Sequence, residues 1–209
     1  MKTRRLILTA AVALTLCLPA AFAQQTSTNT GSTTTTDPNH PASVGQRKTD
    51  QQDRIANGVQ SGQLTAGETK GLENRESGIS REENTMRSED DGHLTSADRA
   101  TLNRQQNHVS NQIYNDKHNA NAAHYGNNEV GQRRENQQDR IAQGIRSGQL
   151  TAGESSRLER QQQSINREDA SMRRANGGRL TNGDKAALNQ RQNRASGNIY
   201  NKKHNGRLR

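Results

Sequence analysis

Apolar positions along this chain are sparse, and their spacing is helical. Ile55 and Val59 stand four apart, and Leu72, Ile79 and Met86 recur every seven residues. Leu102, Val109 and Ile113 share one helical face, with Gln106 between them. This pattern predicts helices over about 46–60, 66–88 and 96–117. It returns as Ile141, Ile145, Leu158, Ile165, Met172, Leu188 and Ile199, with Ala195 in place of Val109, and predicts helices over about 132–146, 152–174 and 182–203. Pro38 and Pro41 are the last prolines in the chain, so no ring interrupts the helices downstream.

Four of these helices share a start signal, Gly-x-Leu-Thr-x-x-acid. It reads Gly62-Gln63-Leu64-Thr65-Ala66-Gly67-Glu68 and Gly92-His93-Leu94-Thr95-Ser96-Ala97-Asp98, then recurs at 148–154 and 178–184. In each copy the threonine (Thr65, Thr95, Thr151, Thr181) suits the N-cap. The acid three residues on (Glu68, Asp98, Glu154, Asp184) suits the reciprocal bond of a capping box. The same letters resemble the back half of an EF-hand loop. Only 87–98 adds acids in the front half, so Glu89, Asp91 and Asp98 are the candidate calcium ligands of that alternative; Arg87 stands at its first ligand position. A continuous second helix would hold the turns at 62–65 and 92–95 far apart, whereas paired EF-hand loops lie side by side.

The larger organisation is a tandem duplication. One unit covers 44–119 and a second 130–206; residues 44–119 return as 130–205 at a period of 86, with Ser61–Glu68 repeated unchanged as Ser147–Glu154. Residues 120–129 form a linker, and 207–209 a basic C-terminal end. The expected fold is all-α: two tandem three-helix units, helical hairpins with capped turns, behind a flexible N-terminal tail. The apolar stripe is narrow, which predicts marginal stability and a unit that leans on its twin or on another chain.

Composition adds export. Lys2, Arg4 and Arg5 precede the apolar run Leu6–Leu18, and Ala21-Phe22-Ala23 offers a cleavage site, so 1–23 reads as a signal peptide. Residues 24–43 are a Ser/Thr/Asn-rich disordered tail. The chain expected after cleavage is periplasmic or secreted, without a transmembrane segment. Its formal charge falls from +9 to +6 as the three leader cations are removed. Cys17 is the only cysteine, which excludes thiol chemistry from the mature chain.

No nucleophile motif, phosphate loop or paired carboxylate in an apolar setting is present, so the chain reads as a non-enzyme without a cofactor. Arg157, Arg160, Arg173, Arg174, Arg179 and Lys203 are candidate contacts to an anionic polymer. Tyr114 and Tyr200, beside Lys117 and Lys203, could stack on a base or sugar; the plainer expectation is that Ile-Tyr closes the apolar stripe of the last helix. His118 and His204 read as surface residues near helix ends. The phrases Arg54-Ile55-Ala56-x-Gly58-x-x-Ser61-Gly62-Gln63-Leu64-Thr65 and Ile113-Tyr114-Asn115-x-Lys117-His118-Asn119 resemble a group of small exported bacterial helical-repeat proteins of unknown function. That resemblance implies export and no activity. The expected role is a binding or structural module for an anionic polymer, an envelope component or another protein, with self-association open.

Overall fold

The computed structural model describes residues 43–207. The segment expected to be a signal peptide, the tail through 42 and the last two residues of the basic end lie outside that range. Six helices follow one another: α1 Val44–Gln60, α2 Ala66–Glu89, α3 Ser96–Lys117, α4 Glu129–Arg146, α5 Ala152–Ala175 and α6 Asn182–Lys203. The fold is all-α, and no strand occurs among the described residues.

The four Thr–acid signals all form reciprocal capping boxes at the starts of α2, α3, α5 and α6. At α2 the Thr65 amide donates to Glu68 Oε2 at 2.9 Å, while the Glu68 amide donates to Thr65 Oγ1 at 3.3 Å. α1 and α4 begin differently, and two to three residues earlier than the apolar pattern indicates. Ser43 Oγ accepts from the Gln46 amide at 3.1 Å, and Asn128 Oδ1 from the Gly131 amide at 3.0 Å. These caps precede the first strongly apolar turn, so spacing alone does not find them.

Each unit is an up-down-up bundle. In the first, α1 contacts α3 in parallel register through Arg47–Asn103 and Arg54–Ser110. α2 runs against both, through Gln52–Glu73 and Lys48–Glu83 on one side and Gln105–Glu82 on the other. The α1–α2 turn is tight: the Leu64 amide donates to Gly58 O at 2.9 Å, and a Cβ on Gly58 would fall 2.6 Å from Leu64 Cγ. Gly62 supplies the positive φ of 71° that reverses the chain. Gly144, Leu150 and Gly148 repeat the arrangement in the second unit.

The two units pack against each other as near-equivalent halves. α2 and α5 run antiparallel, bringing Asn74 to Ser156 and the Ser77 hydroxyl against Gly153, while Gly67 meets Gln163. These pairs are centred on Leu72 and Leu158, which occupy the same position in the two repeats. α1 and α4 also meet, where Arg146 Nη2 donates to Asn57 Oδ1 and Gln60 Oε1, both at 2.7 Å. The internal symmetry is thus a pseudo-two-fold, an isologous contact made within one chain. It supplies the second surface that the narrow stripe required.

One apolar cluster spans both units and includes Ile55, Leu72, Leu102, Ile113, Ile141, Leu158 and Ile199. In the first unit it extends unbroken to Val44, Val109 and Met86. In the second, the matching residues Val130, Ile165, Leu188 and Ala195 form a separate cluster with Met172 and Leu180. Ala195 is the one substitution among the buried members of that set that removes volume, so the smaller side chain accounts for the break.

Glutamine and glutamate fill much of the remaining interior. Gln106 Nε2 donates to Val44 O at 2.9 Å, and Gln51 Nε2 to Gln106 O at 2.6 Å. Gln192 to Val130 O and Gln137 to Gln192 O repeat both bonds at 2.8 and 2.7 Å. Gln52 donates to Glu73, and Gln138 to Glu159, with all four side chains buried. Two ion-paired triads complete the set: Glu83 with Lys48 and Arg87, and Asp169 with Arg134 and Arg173.

Burial pushes the Glu159 carboxyl up to about 8, against the opposing bond from Gln138. Its folded pKa lies above its unfolded value, so the stability it contributes is fully present below about 4.5 and is lost as pH rises through about 8. Glu159→Gln keeps an acceptor for Gln138 and removes the charge. Urea unfolding at pH 5 and pH 9 is expected to show wild type losing more stability at the higher pH than the variant, by on the order of a few kcal/mol; parallel losses would contradict this. Ala195→Val is expected to join the two apolar clusters and add about 1 kcal/mol, seen as a thermal midpoint about 2–4 °C higher. A lower midpoint would show that the site is already full.

Candidate binding surfaces at the ends of α3 and α6

The last turns of α3 and α6 carry the most conspicuous repeated surface feature. Ile113 and Ile199 are fully buried, and the tyrosine after each is rotated about 100° away around the helix. Tyr114 is 59% exposed and Tyr200 57%, which corrects the expectation that these rings close the apolar stripe. Leu64 and Leu150, folded back from the turns, are buried in the same apolar cluster as Ile113 and Ile199.

Each tyrosine stacks on the histidine one turn later. Tyr114 and His118 have ring centroids 4.2 Å apart at an interplanar angle of 29°, and Tyr200 and His204 show the same values. The His118 Nδ1–H donates to Tyr114 O at 2.6 Å, and the His204 Nδ1–H to Tyr200 O at 2.7 Å. A carbonyl can only accept, so this bond fixes the tautomer of the neutral ring and leaves Nε2 for an outside partner. The result is a pre-set, two-ring pad in each unit.

A pair of like charges neighbours each pad. Burial, then the charge of Arg54, hold the Lys117 ammonium below its usual range; burial and Arg140 do the same to Lys203. Arg54 is fixed by Nη2 donating to Ser110 O at 3.0 Å, and Arg140 by Nη2 donating to Ser196 O at 3.2 Å. An anion placed between such cations relieves their repulsion and gains two charge-assisted bonds. The two pads differ in sign at one neighbouring position. Asp116 stands where the second unit has Lys202, so the second is the more basic. Burial, then the nearby charge of Glu68, push the Asp116 carboxyl up, a further sign that an anion is poorly received there.

The asparagine that ends this phrase has a structural task that spacing alone did not reveal. Asn119 Nδ2 donates to Glu68 Oε1 at 2.8 Å, and Asn121 Nδ2 to the same oxygen at 3.1 Å. Asn205 Nδ2 reaches Glu154 Oε1 at 2.5 Å in the second unit. The chain leaving the third helix thereby fastens the capping box of the second. The available signal was the recurrence of Asn119 and Asn205 at one fixed distance from the capping acids.

The six basic residues singled out from sequence do not form one patch. Arg157 and Arg160 lie exposed on the first half of α5, the end that α6 reaches with Lys203. Arg174 and Arg179 are exposed at the opposite end of α5, more than 20 Å away along the axis. Arg173 is held by Asp169 at 2.8 Å. Of the three candidate calcium ligands, Asp98 spends Oδ2 on the Thr95 amide and hydroxyl at 2.9 and 2.6 Å. Those bonds hold its carboxyl below the usual range. Glu89 is the last residue of α2, and Asp91 sits in the following turn with a φ of 51°. Among the described residues, no group of three or more His, Cys, Asp or Glu side chains is placed to hold a metal ion. α2 is continuous over its 24 residues and keeps its two flanking turns at opposite ends.

No family model matches this chain, nor does any curated protein or solved structure compared with it.

Proposed function

We propose that the chain, exported by its N-terminal leader, is a non-enzymatic binding module for an anionic polysaccharide or similar ring-bearing polyanion. The observation that supports this is the duplicated exposed Tyr–His stack beside a like-charged Lys–Arg pair. The aromatic faces suit the flat, apolar faces of sugar or base rings, and the cations suit carboxylate, sulfate or phosphate groups. Two such pads on one chain give avidity without a deep pocket. The mature charge of +6 favours approach of a polyanion over the whole surface.

The test separates ring stacking from charge. The mature chain is titrated with heparin and with inorganic polyphosphate, which has no rings, across a salt series. Binding of both is expected to weaken as salt rises. Tyr114→Ala with Tyr200→Ala is expected to weaken heparin binding by about 10-fold or more, as loss of ring stacking does, and to leave polyphosphate binding unchanged. Equal effects on both polymers, or salt-independent binding, would overturn the proposal.

A further inference from the structure

Four asparagines of the chain precede a glycine: Asn57, Asn176, Asn182 and Asn205. An asparagine side chain is open to attack by the backbone nitrogen that follows it, and a following glycine leaves that nitrogen unshielded by a Cβ. A helix suppresses the attack, because its ψ holds the nitrogen away from the side-chain carbon. Asn57 lies inside α1, and Asn182 is the first residue of α6. Asn176 and Asn205 follow helices, and both are exposed.

These two differ in what holds the carboxamide. Asn176 uses Nδ2 on Met172 O at 3.0 Å and Asp184 Oδ2 at 2.9 Å, and no donor among the described residues reaches its Oδ1. Asn205 Oδ1 accepts from the Arg207 amide at 3.0 Å, while its Nδ2 donates to Glu154 Oε1 at 2.5 Å. The Arg207 bond folds the side chain back over Gly206 and draws electron density from Cγ. Gly206 has a φ of 72°, and its own N–H meets no acceptor among the described residues. Asn119 keeps both bonds, from the Asn121 amide at 2.7 Å and to Glu68 Oε1 at 2.8 Å, but Ala120 follows it.

The two fastenings also differ in redundancy. Glu68 Oε1 receives Asn119 and Asn121 together. Arg207 stands where Asn121 would be repeated, so among the described residues Glu154 Oε1 has Asn205 alone.

We infer that Asn205 is a site of self-deamidation whose product unfastens the start of α5. Solvent base removes the Gly206 amide proton, and the nitrogen adds to Asn205 Cγ. The Cγ–Nδ2 bond breaks, ammonia leaves with a proton taken from water, and a five-membered succinimide closes. Water then opens either carbonyl, giving aspartate or isoaspartate. A carboxylate now faces Glu154 where a donor stood, so a charge-assisted bond becomes a repulsion. Asn119 and Asn121 stay in place, so the second unit alone loosens as the molecule ages.

The mature chain is aged at mildly alkaline pH, digested and mapped by mass. The NH-to-O gain is expected first at Asn205, with Asn119 slower by about 10-fold or more because Ala120 carries a Cβ. Gly206→Ala, which copies the Asn119–Ala120 pair, is expected to slow the reaction to the Asn119 rate. Asn205→Asp, which carries the charge of the product, is expected to speed amide exchange at Thr151 and Glu154 by about 10-fold and leave Thr65 and Glu68 unchanged. Equal rates at Asn119 and Asn205, or an earlier gain at Asn176, would overturn the assignment of the site. Unchanged exchange at the start of α5 in Asn205→Asp would overturn its consequence.

Discussion

The interior of this protein is closed by carboxamide hydrogen bonds because there are too few aliphatic side chains to close it otherwise. Gln106 and Gln192 each sit in the middle of a third helix and reach a carbonyl in the first turn of the first helix of their unit. Gln51 and Gln137 return the bond to the third helix. A net gain of about 0.5–1.5 kcal/mol per bond is modest, but leaving such a buried group unpaired costs about 1–3 kcal/mol. The network therefore selects register more strongly than it adds stability. A helix displaced by one turn would strand several amides at once, whereas leucine contacts tolerate such slippage.

The same economy explains why the units pair. α2 and α5 each bring a leucine to the pseudo-two-fold and surround it with small or polar residues: Thr69 and Glu73 on one side, Ser155 and Glu159 on the other, all fully buried. The flanking triads show how side-chain length is conserved through exchange. Lys48 with Glu83 becomes Arg134 with Asp169, a longer cation matched by a shorter acid, while the arginine one turn on is retained in both. Position 76 is glutamate where 162 is glutamine, so the two halves of the interface are near-equivalent in shape and unequal in charge.

Much of the fold was legible because its local signals agree. Thr65, Thr95, Thr151 and Thr181 with their acids mark four helix starts, and the period of 86 residues marks the duplication. What could not be read was anything fixed by distant partners. Gln51 looks like a surface residue in a linear pattern and Gln106 like an interruption of an apolar face, and only a carbonyl on another helix makes their burial tolerable. Tyr114 looked like core because it follows Ile113, yet one step along a helix turns a side chain about 100° away, and here that face is exposed. The basic residues of α5 could be listed but not grouped, since which ends of α5 and α6 meet depends on the bundle topology. The Tyr–His stack was available in principle as an i, i+4 pair on a helix, but spacing does not say that the ring faces water.

The self-complementary contact across the pseudo-two-fold has a further consequence. A surface that matches its own copy cannot tell whether the copy belongs to the same polypeptide. What favours closure within one chain is the short tether through residues 118–128, which raises the local concentration of the second half to the order of millimolar. At higher protein concentrations, or with that tether stretched or cut, halves from different molecules become equal competitors. Reciprocal exchange then yields closed pairs, and open-ended exchange yields chains of linked molecules.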